Sequence, residues 1–275
     1  MRWRDQRPSV NVEDRRGMSG RGMAVGGGGI GVLVLAIAIY LCGGDPSQLL
    51  QTGPAPDSAL PPGAASNRAV TQDENAQFAR AIMGNLEDAW KQILPAQSRS
   101  SFHAPKLVLF TSRISSACGF ATAASGPFYC PEDQKLYLDF AFFDELRREF
   151  RAPGDFAQAY VIAHEFGHHI QNITGVMGKV ERAGENNRLS VALELQADCY
   201  AGVWANFAAK QGRLETGDVE EAIRAAAAVG DDMIQKRTQG YVIPDSFTHG
   251  SSQQRKEWFA KGMQSGEMRQ CETFR

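Results

Sequence analysis

The sequence predicts an α+β fold, mostly helical with a small sheet, preceded by a single N-terminal transmembrane helix. Three observations predict it. A stretch without charge, Gly22 to Gly44, reads "GMAVGGGGIGVLVLAIAIYLCGG" and is long enough to cross a hydrocarbon core of ~30 Å as a helix. Short apolar runs punctuated by Gly and Pro lie between residues 106 and 138, the chemistry of strands and turns. Beyond residue 139 the apolar residues recur at helical spacing. Strands followed by helices, rather than alternating with them, give the α+β order.

Residues 1–21 carry Arg2, Arg4, Arg7, Arg15, Arg16 and Arg21. Positive flanks stay on the cytoplasmic side, so this basic segment is expected inside, residues 22–44 as an anchor, and the remainder outside. A cleaved signal peptide competes, but no small-x-small cleavage site closely follows the apolar run. Residues 45–67, "DPSQLLQTGPAPDSALPPGAASN", have linker composition. The folded domain is therefore expected over 68–275. The formal net charge of the 275-residue chain is −2, and no basic stripe appears in the body, so nucleic acid is not expected as a partner.

The domain opens with an amphipathic helix over 70–94, on which Phe78, Ile82, Leu86, Trp90 and Ile93 share a face. "KLVLF" (106–110) reads as a strand. "CGFATAASGPFYCPEDQKLYLDFAFFDEL" (118–146) reads as two or three short strands and a helix start near Asp139. Helices are expected over 155–174, 188–210, 217–237 and 251–263.

The helix over 155–174 contains "AYVIAHEFGHHIQNIT" (159–174), which holds three of the chain's five histidines. His164-Glu165-Phe166-Gly167-His168 matches H-E-x-x-H. Positions i and i+4 lie on one helix face, so His164 and His168 can share one metal ion, with Glu165 close enough to reach a water on it. Two imidazoles and one further ligand leave a position for water, the donor pattern of catalytic zinc. The bland alternative is a helix with two partly buried histidines. Histidine is scarce in this chain, and the apolar stripe Ala159, Ile162, Ala163, Phe166, Ile170 and Ile173 is offset from the ligand face; both favour the metal. His169 lies about 100° around the helix from His168 and reads as a packed or surface histidine. "NIT" at Asn172 is formally a glycosylation sequon, but inside a helix.

"LSVALELQADCYAGVWANF" follows. Glu194 and Asp198 are four apart on one face, among residues too apolar for a solvated surface. One helix can supply both Glu194 to the metal and Asp198 to the free N–H of a ligating histidine. Spacing alone leaves Glu181, Glu185 and Asp198 itself open as ligands. Hydrolysis at such a metal would also need a hydrogen-bond donor for the developing oxyanion. His249, in "THGSSQQR" with Arg255, is the candidate, against a helix-capping or surface role; Tyr200 and Tyr241 are weaker ones. Ser251 or Ser252 can cap the helix that follows.

"HEFGHHIQ" followed by "ELQADCYAG", together with "VEDRRG", the glycine-rich apolar segment and "FTHGSSQQRKEWFAKG", resembles the neutral zinc metallopeptidases of bacterial envelopes over nearly the whole chain. In the wider gluzincin group an E-x-x-x-D segment supplies the third ligand and a second aspartate behind the histidines; Glu194 and Asp198 match it. The resemblance implies a zincin-like domain, with a small sheet above an active-site helix and one Zn2+ per chain. It implies hydrolysis of protein or peptide substrates with Glu165 as general base. A late histidine, here His249, would approach the zinc, and a substrate strand would lie against an edge strand within 117–138. It places the catalytic domain on the outer side of the bacterial cytoplasmic membrane. Two alternatives remain open: a non-catalytic zinc-containing binding domain of the envelope, and a zinc amidase acting on cell-wall peptides.

Of five cysteines, Cys42 stands apart at the membrane edge. Cys118, Cys130, Cys199 and Cys271 allow three pairings. The pairs Cys118–Cys130, stapling a hairpin, and Cys199–Cys271, tying the tail to the Glu194 helix, are expected, and disulfides agree with export. The rival role for Cys199 is a zinc ligand or a buried thiol.

Overall fold

The structure, a computed structural model, describes residues 1–17, 62–184 and 186–274. Six strands are found among them: β1 (Val12–Asp14), β2 (Lys106–Phe110), β3 (Arg113–Ser116), β4 (Gly119–Thr122), β5 (Phe128–Cys130) and β6 (Lys135–Asp139). Four make one sheet in the order β1-β2-β6-β5. β1, β2 and β6 run parallel, and β5 is antiparallel to β6 at the edge. The continuous apolar run of β2 follows from cover on both faces. Leu107 and Leu109 join the main core with Leu136 and Leu138, while Val108 and Phe110 meet Cys130 and Tyr137 in a small second cluster. β3 and β4 form a separate antiparallel hairpin; β4, β5 and β6 are the three short strands within 118–146, and β3 lies just before them.

Eight helices follow the chain among the described residues: α1 (Pro62–Gln97), α2 (Ala141–Arg148), α3 (Asp155–Ile173), α4 (Val176–Ala183), α5 (Asn187–Lys210), α6 (Asp218–Ala228), α7 (Asp231–Thr238) and α8 (Ser252–Ser265). A mostly helical domain with a small sheet is thus the architecture. α3 is central, with Phe156, Tyr160, Phe166 and Ile170 buried around it. Phe156 stacks on Trp204 of α5 at 5.6 Å, and the Trp204 indole donates to Asn85 Oδ1 of α1 at 2.8 Å. α5 and α8 touch backbone to backbone. A Cβ on Gly202 would come within 2.1 Å of the Phe259 carbonyl, and one on Gly262 within 2.0 Å of the Cys199 carbonyl, so neither position accepts a side chain. The disulfides Cys118–Cys130 and Cys199–Cys271 are both formed, which excludes Cys199 as a metal ligand.

The N-terminal segment overturns the expected membrane topology. Met1–Arg16 and Gln72–Arg275 form one compact unit. Val12, Glu13 and Asp14 pair with Leu107, Val108 and Leu109; Trp3 packs edge-on against Phe78 at 5.4 Å; and the Met1 ammonium lies 2.7 Å from Asp155 and 3.2 Å from Asp218. A single membrane crossing between residues 22 and 44 would put these partners on opposite sides of a bilayer. No helix among the described residues is long and apolar enough to cross a membrane. The expected span at 22–44, the linker at 45–67 up to residue 61, and Cys42 lie outside the described residues. The arginines read as a cytoplasmic flank serve the domain instead: Arg7 bonds the Glu87 carboxylate and the Gly84 carbonyl, both at 3.0 Å.

The helix expected over 217–237 is two helices. Gly230 is extended, and a Cβ there would meet Ser252 N at 2.3 Å. The break starts α7 at Asp231, whose carboxylate accepts the backbone N–H groups of Thr248, His249 and Gly250. Ser251 is the N-cap of α8, accepting from Gln254 N.

Candidate metal centre

His164 and His168 sit one turn apart on α3, and Glu194 comes from α5. The two helices approach closely at Gly167, where a Cβ would lie 2.9 Å from the Ala197 carbonyl. This closeness brings Glu194 Oε2 to 3.1 Å from His164 Nε2, and Oε1 to 3.3 Å from His168 Nε2. One donor atom from each of His164, His168 and Glu194 lies within 4.8 Å of the others.

The outer nitrogens are also engaged. His164 Nδ1 donates to Asp198 Oδ1 at 2.8 Å, and His168 Nδ1 donates to Gln171 Oε1 at 2.8 Å. Gln171 is fully buried and is anchored in turn by its amide on the Leu193 carbonyl, 2.6 Å, and on Gln196 Oε1, 3.2 Å. Asp198, also fully buried, is gripped by Arg255 through Nε at 2.8 Å and Nη2 at 3.0 Å, and accepts the Tyr160 hydroxyl. The inner nitrogens thus point at one carboxylate while the outer ones are fixed by acceptors, an arrangement that orients histidines for a metal. The residues fit zinc: two imidazole nitrogens, one carboxylate, and a side left open toward the cleft.

The charges follow from this geometry. Burial alone would lower the His164 pKa, but the carboxylates of Asp198 and Glu194 raise it to about 10. Burial opposes protonation of His168 too, and Glu194 reverses it, so that pKa is raised. Burial would push Glu194 up; the His168 and His164 charges hold it well below the usual carboxylate range. Glu165 differs: desolvation in the cleft pushes its carboxyl up, against the two histidines.

The site opens into a cleft of about 540 Å³ whose lining includes Glu165, His249 and Arg255 beside the three candidate ligands. Phe128 and Tyr129 of the edge strand β5 form one wall, and Phe142, Phe150 and Met177 add apolar surface. His249 is oriented by Asp231, with Nδ1 3.1 Å from Oδ1, and that hydrogen bond raises its pKa.

His169 is buried and holds β5 on the helix. Its Nε2–H donates to the His103 carbonyl at 2.8 Å, so Nδ1 accepts from the Tyr129 hydroxyl at 3.1 Å. Burial lowers its pKa to about 4. Asn172 donates to the same hydroxyl at 2.9 Å.

Glu181 is exposed on α4, and Glu185 lies outside the described residues. Tyr200 is packed against Trp90 in the core, 5.6 Å between rings, and Tyr241 is 60 % exposed; neither lines the cleft. Gln171, Tyr160 and Asp231 escaped the sequence reading. Gln171 alone had a local signal, its place three residues after His168 on the ligand face.

Histidines one turn apart, a carboxylate from a second helix and a glutamate beside them make a candidate mononuclear metal site whose donors suit zinc. The chain belongs to the family described as "Putative neutral zinc metallopeptidase", whose model matches residues 1–274. It is similar to the uncharacterized protein YpfJ of Escherichia coli (strain K12), with 44% identity over 290 residues covering 100% of this chain and 99% of that one. It is also similar to the uncharacterized protein Rv2575 of Mycobacterium tuberculosis (strain ATCC 25618 / H37Rv), with 44% identity over 204 residues, 70% of this chain and 68% of that one. No solved structure matches.

Proposed function

We propose that the chain is a zinc-dependent peptidase that cleaves extended polypeptide lying along β5. The observation that carries this reading is the placement of Glu165, a carboxylate raised by desolvation, in the cleft beside the convergent His164, His168 and Glu194. When bound by those three residues, zinc would polarise the scissile carbonyl and acidify the attacking water.

The chain's own groups account for the rest. Glu165 accepts a proton from the attacking water on its carboxylate and delivers it to the leaving nitrogen, a task for which a raised carboxyl pKa is suited. His249, its Nδ1 fixed by Asp231, donates to the developing oxyanion. β5 is an edge strand of the sheet among the described residues, to which a peptide can add as a further strand. Phe142, Phe150 and Met177 receive an apolar side chain beside the metal. The two disulfides support work in an oxidising compartment outside the cytoplasm.

The test compares the full chain and its Glu165→Gln variant, both loaded with zinc, on an unfolded protein. The expected result is equal zinc in both and cleavage reduced about 10²- to 10⁴-fold in the variant. Undiminished cleavage by Glu165→Gln would refute the assignment.

A further inference from the structure

A second cavity, about 440 Å³, adjoins the catalytic cleft. The two share Phe150 in their walls and are flanked by neighbouring residues of the α6–α7 segment, Val229 and Ile234 on the cleft side and Ala228 and Met233 on the other. The second cavity is basic. Arg148, Arg151, Lys236 and Arg237 line it, against Glu149 as the one acidic lining residue. Arg148, Arg151 and Lys236 have no carboxylate within ion-pair distance among the described residues. Arg237 donates to the Glu149 backbone carbonyl at 2.9 Å and lies over the Phe150 ring at 4.1 Å. A cation therefore caps the aromatic ring that separates cavity from cleft.

The backbone adds an independent sign. Arg151 has φ +51°, a left-handed conformation in which glycine is the default and other residues are disfavoured. It follows the end of α2, where glycine would do the structural job. An arginine rather than a glycine at this cap position adds a guanidinium to the cavity wall. Cations in the last turns of α2 and α7 also complement the helix dipoles. That effect acts separately on each helix and asks for no shared cavity.

We infer that this cavity is an anion subsite of the substrate cleft, so that the favoured substrate is an acidic polypeptide: an apolar side chain beside the metal and carboxylates a few residues away. The inference rests on the peptidase reading for its substrate, but not for its binding.

The test is binding to the full chain carrying zinc and Glu165→Gln, followed by fluorescence anisotropy. The probes are labelled decapeptides with Phe-Leu at the centre and a pair of glutamates at one end or the other, each against its glutamine counterpart. One glutamate peptide should bind about tenfold more tightly than its glutamine partner. The preference should fade at high salt and vanish in Arg151→Glu/Lys236→Glu, with binding of the glutamine peptides unchanged. Equal binding of all peptides, absence of binding, or a preference that survives the charge reversal would overturn the inference. Failure of the parent chain to cleave any peptide, with the acidic preference intact, would overturn the peptidase reading alone.

Discussion

Arg255 holds both oxygens of Asp198, at 2.8 and 3.0 Å, and both residues are buried. The pair stands behind His164 and fixes the face that the ring presents to the metal. Removing one member leaves the other charge stranded in the core, which costs about 3–5 kcal/mol. Arg255→Leu should therefore lower the unfolding free energy by that order. Arg255→Lys keeps the charge without the two-pronged grip and should lose less. Denaturant titration decides; a leucine variant as stable as the parent would show that Asp198 does not depend on the guanidinium.

Gln171 plays the matching part for His168. Gln171→Leu removes the acceptor for Nδ1, and the expected loss is about 10- to 100-fold in zinc affinity. Gln171→Glu keeps an acceptor for Nδ1 but loses the amide donor to the Leu193 carbonyl and Gln196 Oε1, so it should bind zinc more weakly than the parent. Competition with a chromogenic chelator reads both; unchanged affinity in the leucine variant would remove Gln171 from the centre.

Protons and zinc compete for the same nitrogens. In the zinc-free chain each imidazole has an acceptor on both sides, and the His164 pKa is raised from 6.5 to about 10. A raised folded-state value stabilises the zinc-free fold fully below pH 6.5, and that contribution is lost as pH rises through about 10. Zinc affinity runs in the opposite direction and grows across the same window. At pH 7 binding should release at least one proton, that of His164. Calorimetry in buffers of different ionisation enthalpy counts them; release of none would contradict the drawn network.

The amino-terminal segment should behave as part of the domain. Trp3 is buried against Phe78, and Trp3→Ala should cost about 3–5 kcal/mol. Glu13 of β1 is lowered from 4.5 to about 2, chiefly by its hydrogen bond to Lys106. A depressed carboxyl stabilises above its unfolded value and loses that contribution as pH falls through the folded one, so β1 should loosen between about pH 4.5 and 2. Glu13→Gln should flatten the stability profile in that range. A tryptophan variant of full stability would mean that the segment is not docked.

The contrast between sequence and structure has a physical cause. H-E-x-x-H was legible because helix geometry alone puts residues four apart on one face; the same geometry paired Glu194 with Asp198, but spacing left Glu181, Glu185 and Asp198 open as ligands and only the resemblance singled out Glu194. The two disulfide pairs were open to reasoning because only three pairings exist. Asp231 was hidden because its partners, Thr248 to Gly250, are reached through a helix break at Gly230 that periodicity does not register. Arg255 was visible as a residue, but its bond to Asp198 crosses two helices. The parallel pairing of β1 with β2 joins segments far apart in the chain, and no local pattern announces such a pair. Arginine content therefore suggested a cytoplasmic flank where Trp3 and Val12 were already marking core.

The central claim is that His164, His168 and Glu194 hold one zinc ion between α3 and α5. Anomalous scattering at the zinc edge from crystals of the full chain grown with zinc tests it most directly. The account predicts one strong peak bounded by Nε2 of His164, Nε2 of His168 and the Glu194 carboxylate, with Asp198 and Gln171 still on the outer nitrogens. A peak elsewhere, for instance among Asp155, Asp218 and Glu221, or no peak between the two histidines, would contradict it.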